Sequence, residues 1–284
     1  MKLTSIGYLG PKGTFTKIAV DATFNGEHKE DYKTIPECID AVDSGEIDIG
    51  VVPLENAIEG TVQLTIDYLI HQVRIPVVGE IVVPIQMHLL VRGNMISEEA
   101  EIEEVHSHSH AIAQCQQYLH HHFNHAKVAV TTSTARAAEM VSNSDKPIAA
   151  IGNRAAASEY GLEIFKENIH DYPNNHTRFL ILSHQPEKVN IKREAKGEKT
   201  TLLITLPSDK AGALHQILSA FAWRKLNLSK IESRPTKTGL GNYFFIIDVN
   251  QSYDDILLPG VKAELEALGC QVTILGSYPV YDIL

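Results

Sequence analysis

The chain has 284 residues, 44% of them hydrophobic and 21% charged, with a formal net charge of −10. These proportions fit a globular chain of about two domains and exclude disorder along its full length. The acidic balance argues against nonspecific binding to nucleic acid or to an anionic membrane, since both need a cationic footprint.

Cys38, Cys115 and Cys270 form no CxxC pair. Neither a disulfide framework nor a thiolate zinc site is expected, and a cytoplasmic location fits. The first residues are too short an apolar run for a signal peptide. The greasy stretch from Ile75 to Val91 is broken by Glu80, two prolines, Gln86 and His88, and reads as two buried strands.

In chain order, apolar runs predict strands at Leu3–Leu9, Ile47–Val52, Val77–Val83, Met87–Val91, Val128–Val130, Ile148–Ile151 and Phe179–Leu182. Helical spacing falls between them at Thr16–Phe24, Pro36–Asp43, Val62–His71, Ala111–Phe123 and Thr134–Ser142. Such alternation implies an α/β region, residues 1–183, built on mostly parallel sheet. Residues 184–199 carry eight charges and read as a linker. Residues 200–284 then read strand, helix, strand, strand, helix, strand: Thr200–Leu206, Ala211–Trp223, Leu228–Arg234, Tyr243–Val249, Asp254–Leu268 and Gln271–Tyr278. This βαββαβ order is the ferredoxin-like arrangement, with a turn at Thr238–Gly241 and Asp209 as a helix cap.

Polar motifs gather at strand ends, where α/β sheets bind ligands. They are Gly10-Pro11-Lys12-Gly13-Thr14-Phe15-Thr16, Glu55-Asn56, the hydroxyl run Thr131-Thr132-Ser133-Thr134, and His176-Thr177-Arg178-Phe179. Hydroxyls and amides at a helix N-terminus suit a carboxylate, which makes Ser133 and Thr134 anion anchors. Arg178 is a candidate bidentate carboxylate partner. Adjacent strand residues face opposite ways, however, so Thr177 and Arg178 do not both enter a cleft if the strand is regular there. His106, His108, His110, His120, His121, His122 and His125 cluster without Cys or carboxylate at tight ligand spacing, so a solvated histidine-rich turn and helix is expected and no metal.

The segments GPKGTFT, PLENAIEG, TSTARAAE and NHTRF, followed by GALHQIL and ESRP, resemble prephenate dehydratase with its regulatory ACT domain. The resemblance covers nearly the whole chain. It implies a bilobal catalytic region, like a type II periplasmic binding protein, with the site between the lobes. It also implies decarboxylating dehydration of prephenate to phenylpyruvate without cofactor or metal. Thr177 then matches the catalytic threonine, and Asn56, Ser107 and Gln114 match substrate-binding positions. The segment around Ser107 departs from the family pattern, with Ser109 and His110 where proline and glutamine are usual, and Ala57 stands where serine or threonine is common. The ACT motifs imply phenylalanine as effector at Gly212, Ala213, Leu214, Glu232, Ser233 and Arg234, and a homodimer or homotetramer. No chorismate-mutase region is expected ahead of Gly7. The alternatives are a solute-binding protein that releases a small acid unchanged and an amino-acid-sensing regulator of a partner protein.

Overall fold

The computed structural model describes residues 4–25, 27–93, 95–207, 211–235, 243–254 and 256–283. The expected cap Asp209 and turn Thr238–Gly241 lie outside them. The first lobe contains β1 (Ser5–Leu9), α1 (Phe15–Thr23), β2 (His28–Tyr32), α2 (Ile35–Asp43), β3 (Ile49–Asn56), β4 (Gly60–Thr61), α3 (Gln63–His71) and β5 (Val77–Pro84). The second contains β6 (His88–Val91), β7 (Glu104–Ser107), α4 (Ser109–Ala113), α5 (Gln116–His122), β8 (Lys127–Val130), α6 (Thr134–Ser142), β9 (Ile148–Gly152), α7 (Arg154–Glu159) and β10 (Glu163–Lys166). The chain then returns to the first lobe as β11 (His176–Leu182). The last domain holds β12 (Gly197–Thr205), α8 (Ala213–Ala222), β13 (Leu228–Pro235), β14 (Tyr243–Val249), α9 (Leu257–Ala267) and β15 (Gln271–Asp282).

Helix starts follow their caps. The hydroxyls of Thr14, Thr34 and Ser133 accept from Lys17, Glu37 and Arg136 amides, satisfying donors that the first turn leaves free. Where one helix was expected over Ala111–Phe123, there are two, α4 and α5. The break falls at Gln114, whose carbonyl accepts from Asp171 N at 2.7 Å instead of continuing the helix. The sheets are also less parallel than expected. β11 runs antiparallel to both β3 and β5, and β6 antiparallel to β9 and β10. This follows from the two crossings between lobes.

The last domain is not a bead on a linker. Its sheet, β13-β14-β12-β15, continues through β5 into the first lobe as β5-β11-β3-β1-β2. The junction is Val280–Asp282 beside Glu80–Val82, in parallel register. Hence the last strand runs past its expected end at Tyr278, and the expected linker ends early, because Gly197–Lys199 already pair with Tyr278–Val280. Gly276 permits the junction: a Cβ there would lie 2.2 Å from Val77 O. The rest of the linker is tied down by Lys188 on Asp48 and Lys196 on Asp282.

The apolar cores follow the same division. Phe244, Ile246 and Tyr278 of the last domain share a core with Leu54, Leu69, Val77 and Leu180 of the first lobe. The other face of the last sheet buries Ile217, Phe221, Leu258 and Val261 under α8 and α9. Beside the shared core runs a buried ionic seam. Arg178 donates from Nε and Nη2 to both oxygens of Glu80 (3.0 and 2.6 Å), from Nη1 to Glu55 and from Nη2 to Asp248, each at 2.6 Å. Lys199 reaches Glu80 at 2.8 Å.

Glu80 is only 1% exposed and faces two cations. Removing one partner of a buried ion pair leaves an uncompensated charge, at a cost of about 3–5 kcal/mol. Glu80→Ala is expected to lower the unfolding free energy by that order in urea titration, whereas a surface change such as Lys127→Ala should stay within about 0.5 kcal/mol.

Candidate active site

The two lobes enclose a cleft of about 740 Å³. The first lobe lines it with Gly10, Pro11, Thr14, Phe15, Lys33, Asn56, Glu59, Thr61, Thr177 and Phe179. The second contributes His108, His110, Gln114, Thr132, Ser133 and Thr134. Asn153 Nδ2 donates across to Gly13 O at 2.9 Å, holding α7 against the first βα turn.

At the floor of the cleft Asn56 and Thr177 are paired residues of β3 and β11. Asn56 Oδ1 accepts from the Ile58 and Glu59 amides at 3.0 and 3.2 Å. Backbone amides donate only, so the Asn56 NH₂ must point the other way, and it meets Thr177 Oγ1 at 2.9 Å. The Thr177 oxygen is thus an acceptor in this contact, and its own hydrogen stays available to a ligand. Gln114 is held by a second side chain. Its side-chain amide pairs with that of Asn175 at 3.0 Å, and the residue lines the cleft. Burial, then His110, pushes His108 below the usual histidine range, with Glu59 opposing. Its Nδ1 accepts from His110 N, so the neutral ring carries its hydrogen on Nε2.

Thr177, Asn56, Gln114, Ser133 and Thr134 are brought together in the cleft. Two other expected ligands are not. Ser107 is fully buried and donates to Ile151 O at 2.7 Å. Arg178 points to the opposite face of β11 into the ionic seam, as strand alternation requires; burial opposes its charge, but Glu80 and Asp248 more than offset this and raise its pKa. Thr61, Thr14 and Lys33 line the cleft without having been singled out as ligands, because nothing in the residues nearby in sequence marks which of them face inward.

The expected effector residues fall into two groups. Gly212 opens α8 at φ 86 without a side-chain cap, and Leu214 and Ser233 are exposed. Glu232 and Arg234, by contrast, face the first lobe. Glu232 accepts from Thr61 at 2.7 Å, and Arg234 donates to Asp67 at 2.6 Å. Burial would raise the Glu232 pKa, but Thr61, Lys230 and Arg234 bring it below the usual range. Among the described residues, no group of three histidines, cysteines or carboxylates is placed to hold a metal ion. His106 instead meets Glu104, and His122 meets Glu99.

Fold and cleft together define a bilobal small-ligand protein carrying a ferredoxin-like module on its first lobe. Comparisons with known proteins make this specific. The prephenate dehydratase family model matches residues 6–187, and the ACT domain model matches residues 200–269. A prephenate dehydratase from Bacillus subtilis is 54% identical, over 98% of this chain and 99% of that one. The prephenate dehydratase of Arthrobacter aurescens, solved in complex with L-Phe, is 34% identical with a TM-score of 0.84, covering 97% of this chain and 90% of that one. A structure described as a novel type of quorum-quenching acylase superposes at TM-score 0.82 with 28% identity, covering 97% and 98%. Shared fold therefore does not fix activity; the higher full-length identity and the family match do. The chain belongs to the prephenate dehydratase family, and its reaction is the decarboxylating dehydration of prephenate to phenylpyruvate.

Asn56→Asp replaces the donor facing Thr177 with an acceptor and turns the threonine hydrogen away from the cleft. Turnover is expected to fall by about 10²-fold, the order seen when one aimed donor is lost. Steady-state assay of phenylpyruvate formation checks this, and turnover equal to wild type refutes it.

Proposed function

We propose that Thr177 assists departure of the ring hydroxyl of prephenate while the cleft holds the two carboxylates. In the reaction the bond from the ring to its carboxylate breaks and CO₂ leaves. That electron pair enters the ring, the carbon–oxygen bond breaks, and the departing oxygen takes a proton to leave as water. The products lie far downhill because the ring becomes aromatic. The protein therefore needs to orient a dianion and stabilise charge developing on one oxygen. The observation that carries this reading is the Asn56–Thr177 contact, which leaves a hydrogen on Thr177 free at the cleft floor.

Two helix N-termini face the same space, α1 behind Thr14 in one lobe and α6 behind Ser133 and Thr134 in the other. Each favours an anion, and prephenate has two. Gln114 adds a side-chain amide from the hinge side, and His108 adds a neutral donor. Ser107 supports this wall through Ile151 rather than as a ligand.

Phenylalanine acts as the effector through the ferredoxin-like second domain, β12 to β15, near Gly212, Ala213, Leu214 and Ser233, with Glu232 and Arg234 on the side facing the first lobe. Phenylalanine carries an ammonium group where prephenate has a second carboxylate, so the dianion cleft disfavours it. The chain assembles as a homodimer or homotetramer. β13 ends the ten-stranded sheet, and Ile231 upon it is 44% exposed, a surface suited to pairing with a second copy. A cytoplasmic location fits the unpaired cysteines, and no helix among the described residues is long and apolar enough to cross a membrane.

Purified chain incubated with prephenate should yield phenylpyruvate. Thr177→Ala is expected to cut turnover by at least about 10²-fold, the low end for a positioned acid, and Thr177→Ser to retain much of it. A folded chain that binds prephenate and returns it unchanged would place it with the solute-binding proteins. Near-wild-type turnover in folded Thr177→Ala removes Thr177 from its role.

A further inference from the structure

The second domain grips the catalytic pair from behind at three points. Arg178 directly follows Thr177, and its guanidinium reaches Asp248 on β14 at 2.6 Å. Glu55 directly precedes Asn56, and its carboxylate lies 3.2 Å from Lys230 on β13. Thr61 on the cleft wall donates to Glu232 and accepts from Lys230, both on β13. Asn56 and Thr177 are thus each one residue away from a side chain anchored in the other domain. Asp248 is itself fixed, since Thr201 donates to its second oxygen at 2.7 Å and also meets the Tyr278 hydroxyl at 2.7 Å. Thr177 faces the cleft and Arg178 the seam, so a displacement of the Arg178 anchor would act on the same strand that carries Thr177.

We propose that Arg178 and Asp248 are a positioning pair that carries the state of the second domain to Thr177. This rests on the reading that phenylalanine binds the second domain. An effector shifts an equilibrium only through differential affinity for two states. A packed cluster of forked ionic contacts has discrete arrangements rather than a continuum, which suits it to that task. Arg178 directs four hydrogen bonds to three carboxylates, two in the first lobe and one in the second domain, so a change in one contact alters the other two.

The test is Asp248→Asn in the full chain. Asparagine keeps the volume and an acceptor for Thr201 but removes the charge opposite Arg178. Phenylalanine binding is measured by calorimetry, and kcat and KM with and without saturating phenylalanine. In wild type, phenylalanine should lower kcat/KM by about 5–150-fold, the usual range of allosteric coupling. In Asp248→Asn, phenylalanine should still bind with the wild-type Kd, while its effect on kcat/KM shrinks to less than about twofold. A purely structural seam would lower the melting temperature and leave inhibition intact, so full inhibition of folded Asp248→Asn overturns the proposal. If wild type is not inhibited at all, the effector reading fails and the coupling fails with it, a result distinct from the previous one. Should Asp248→Asn not fold, Arg178→Lys gives the same readout. An ammonium does not reproduce the forked contact to Glu80, Glu55 and Asp248 together, and wild-type inhibition in that variant overturns the proposal equally.

Discussion

Arg178 sits where three strands from the first lobe and the last domain converge, and the placement of the cleft floor depends on how its charge is satisfied. A guanidinium at a sheet junction, its side chain only 17% exposed, has little water to solvate it. It persists only because Glu80, Glu55 and Asp248 converge on it from three strands. A planar fork with fixed donor directions imposes relative positions on its acceptors, which a layer of leucines would not. β3, β5 and β11 are therefore held to β14 by directional contacts as well as by the apolar core that Leu54, Leu180, Phe244 and Ile246 share. Apolar packing supplies most of the attraction between the domains and is indifferent to small slips. Ionic contacts contribute less net stability, because desolvation offsets much of the Coulomb gain, yet a slip disrupts them at once.

That division of labour has a consequence for dissecting the protein. By composition alone, ending the chain near Gln185 would separate catalysis from regulation. In the folded protein it would strip β15 from β5, expose the edge of the main sheet, and leave Arg178 without Asp248 and Glu80 without Lys199. Loss of activity in such a fragment would report on a broken sheet. Single substitutions within the seam remove one ionic contact while keeping the β15–β5 pairing in the chain, so coupling is read beside a measured change in stability.

Much of the fold is legible in the residues. Period-2 and period-3.6 patterns place β1, β3, β5, β6, β9 and most helices, and the βαββαβ order of the last domain is seen as strand order β13-β14-β12-β15. Elements escape where burial does not write a pattern. β2 reads HKEDY because it is an exposed edge strand, and α7 and β10 are too short to carry a period. Within the cleft, Asn56, Thr177, Ser133 and Thr134 stand out in the sequence because they follow strand ends or begin helices, which are local features, whereas Gln114 is reached only through the family resemblance. The destinations of Arg178 and Ser107 are not found. Their partners lie 98 and 44 residues away in sequence, and pairing at that distance leaves no periodic trace. Alternation does foretell that Arg178 leaves the cleft once Thr177 enters it; what it does not foretell is a carboxylate of another domain waiting on the far side.

The order of residues along β11 then has a physical logic. Thr177-Arg178 places a hydroxyl on the cleft face and a cation on the face toward the last domain, the shortest arrangement that strand alternation allows. Phe179 returns to the cleft face and is buried, 2% exposed, which fixes the rotation of the strand about its axis. The register shift between Arg178 and Phe179 against β3 falls at this same place, so β3 and β11 are in step through Thr177 and Asn56 and out of step just beyond. The extra residue is Leu54 of β3, since Arg178 pairs with Glu55 and Phe179 with Pro53, so the bend belongs to β3 beside its Asn56 end. Thr177 therefore lies near the start of a strand paired on both sides, by β3 and β5, next to the register shift against β3, and the partly buried Arg178 beside that shift is tied to the other domain.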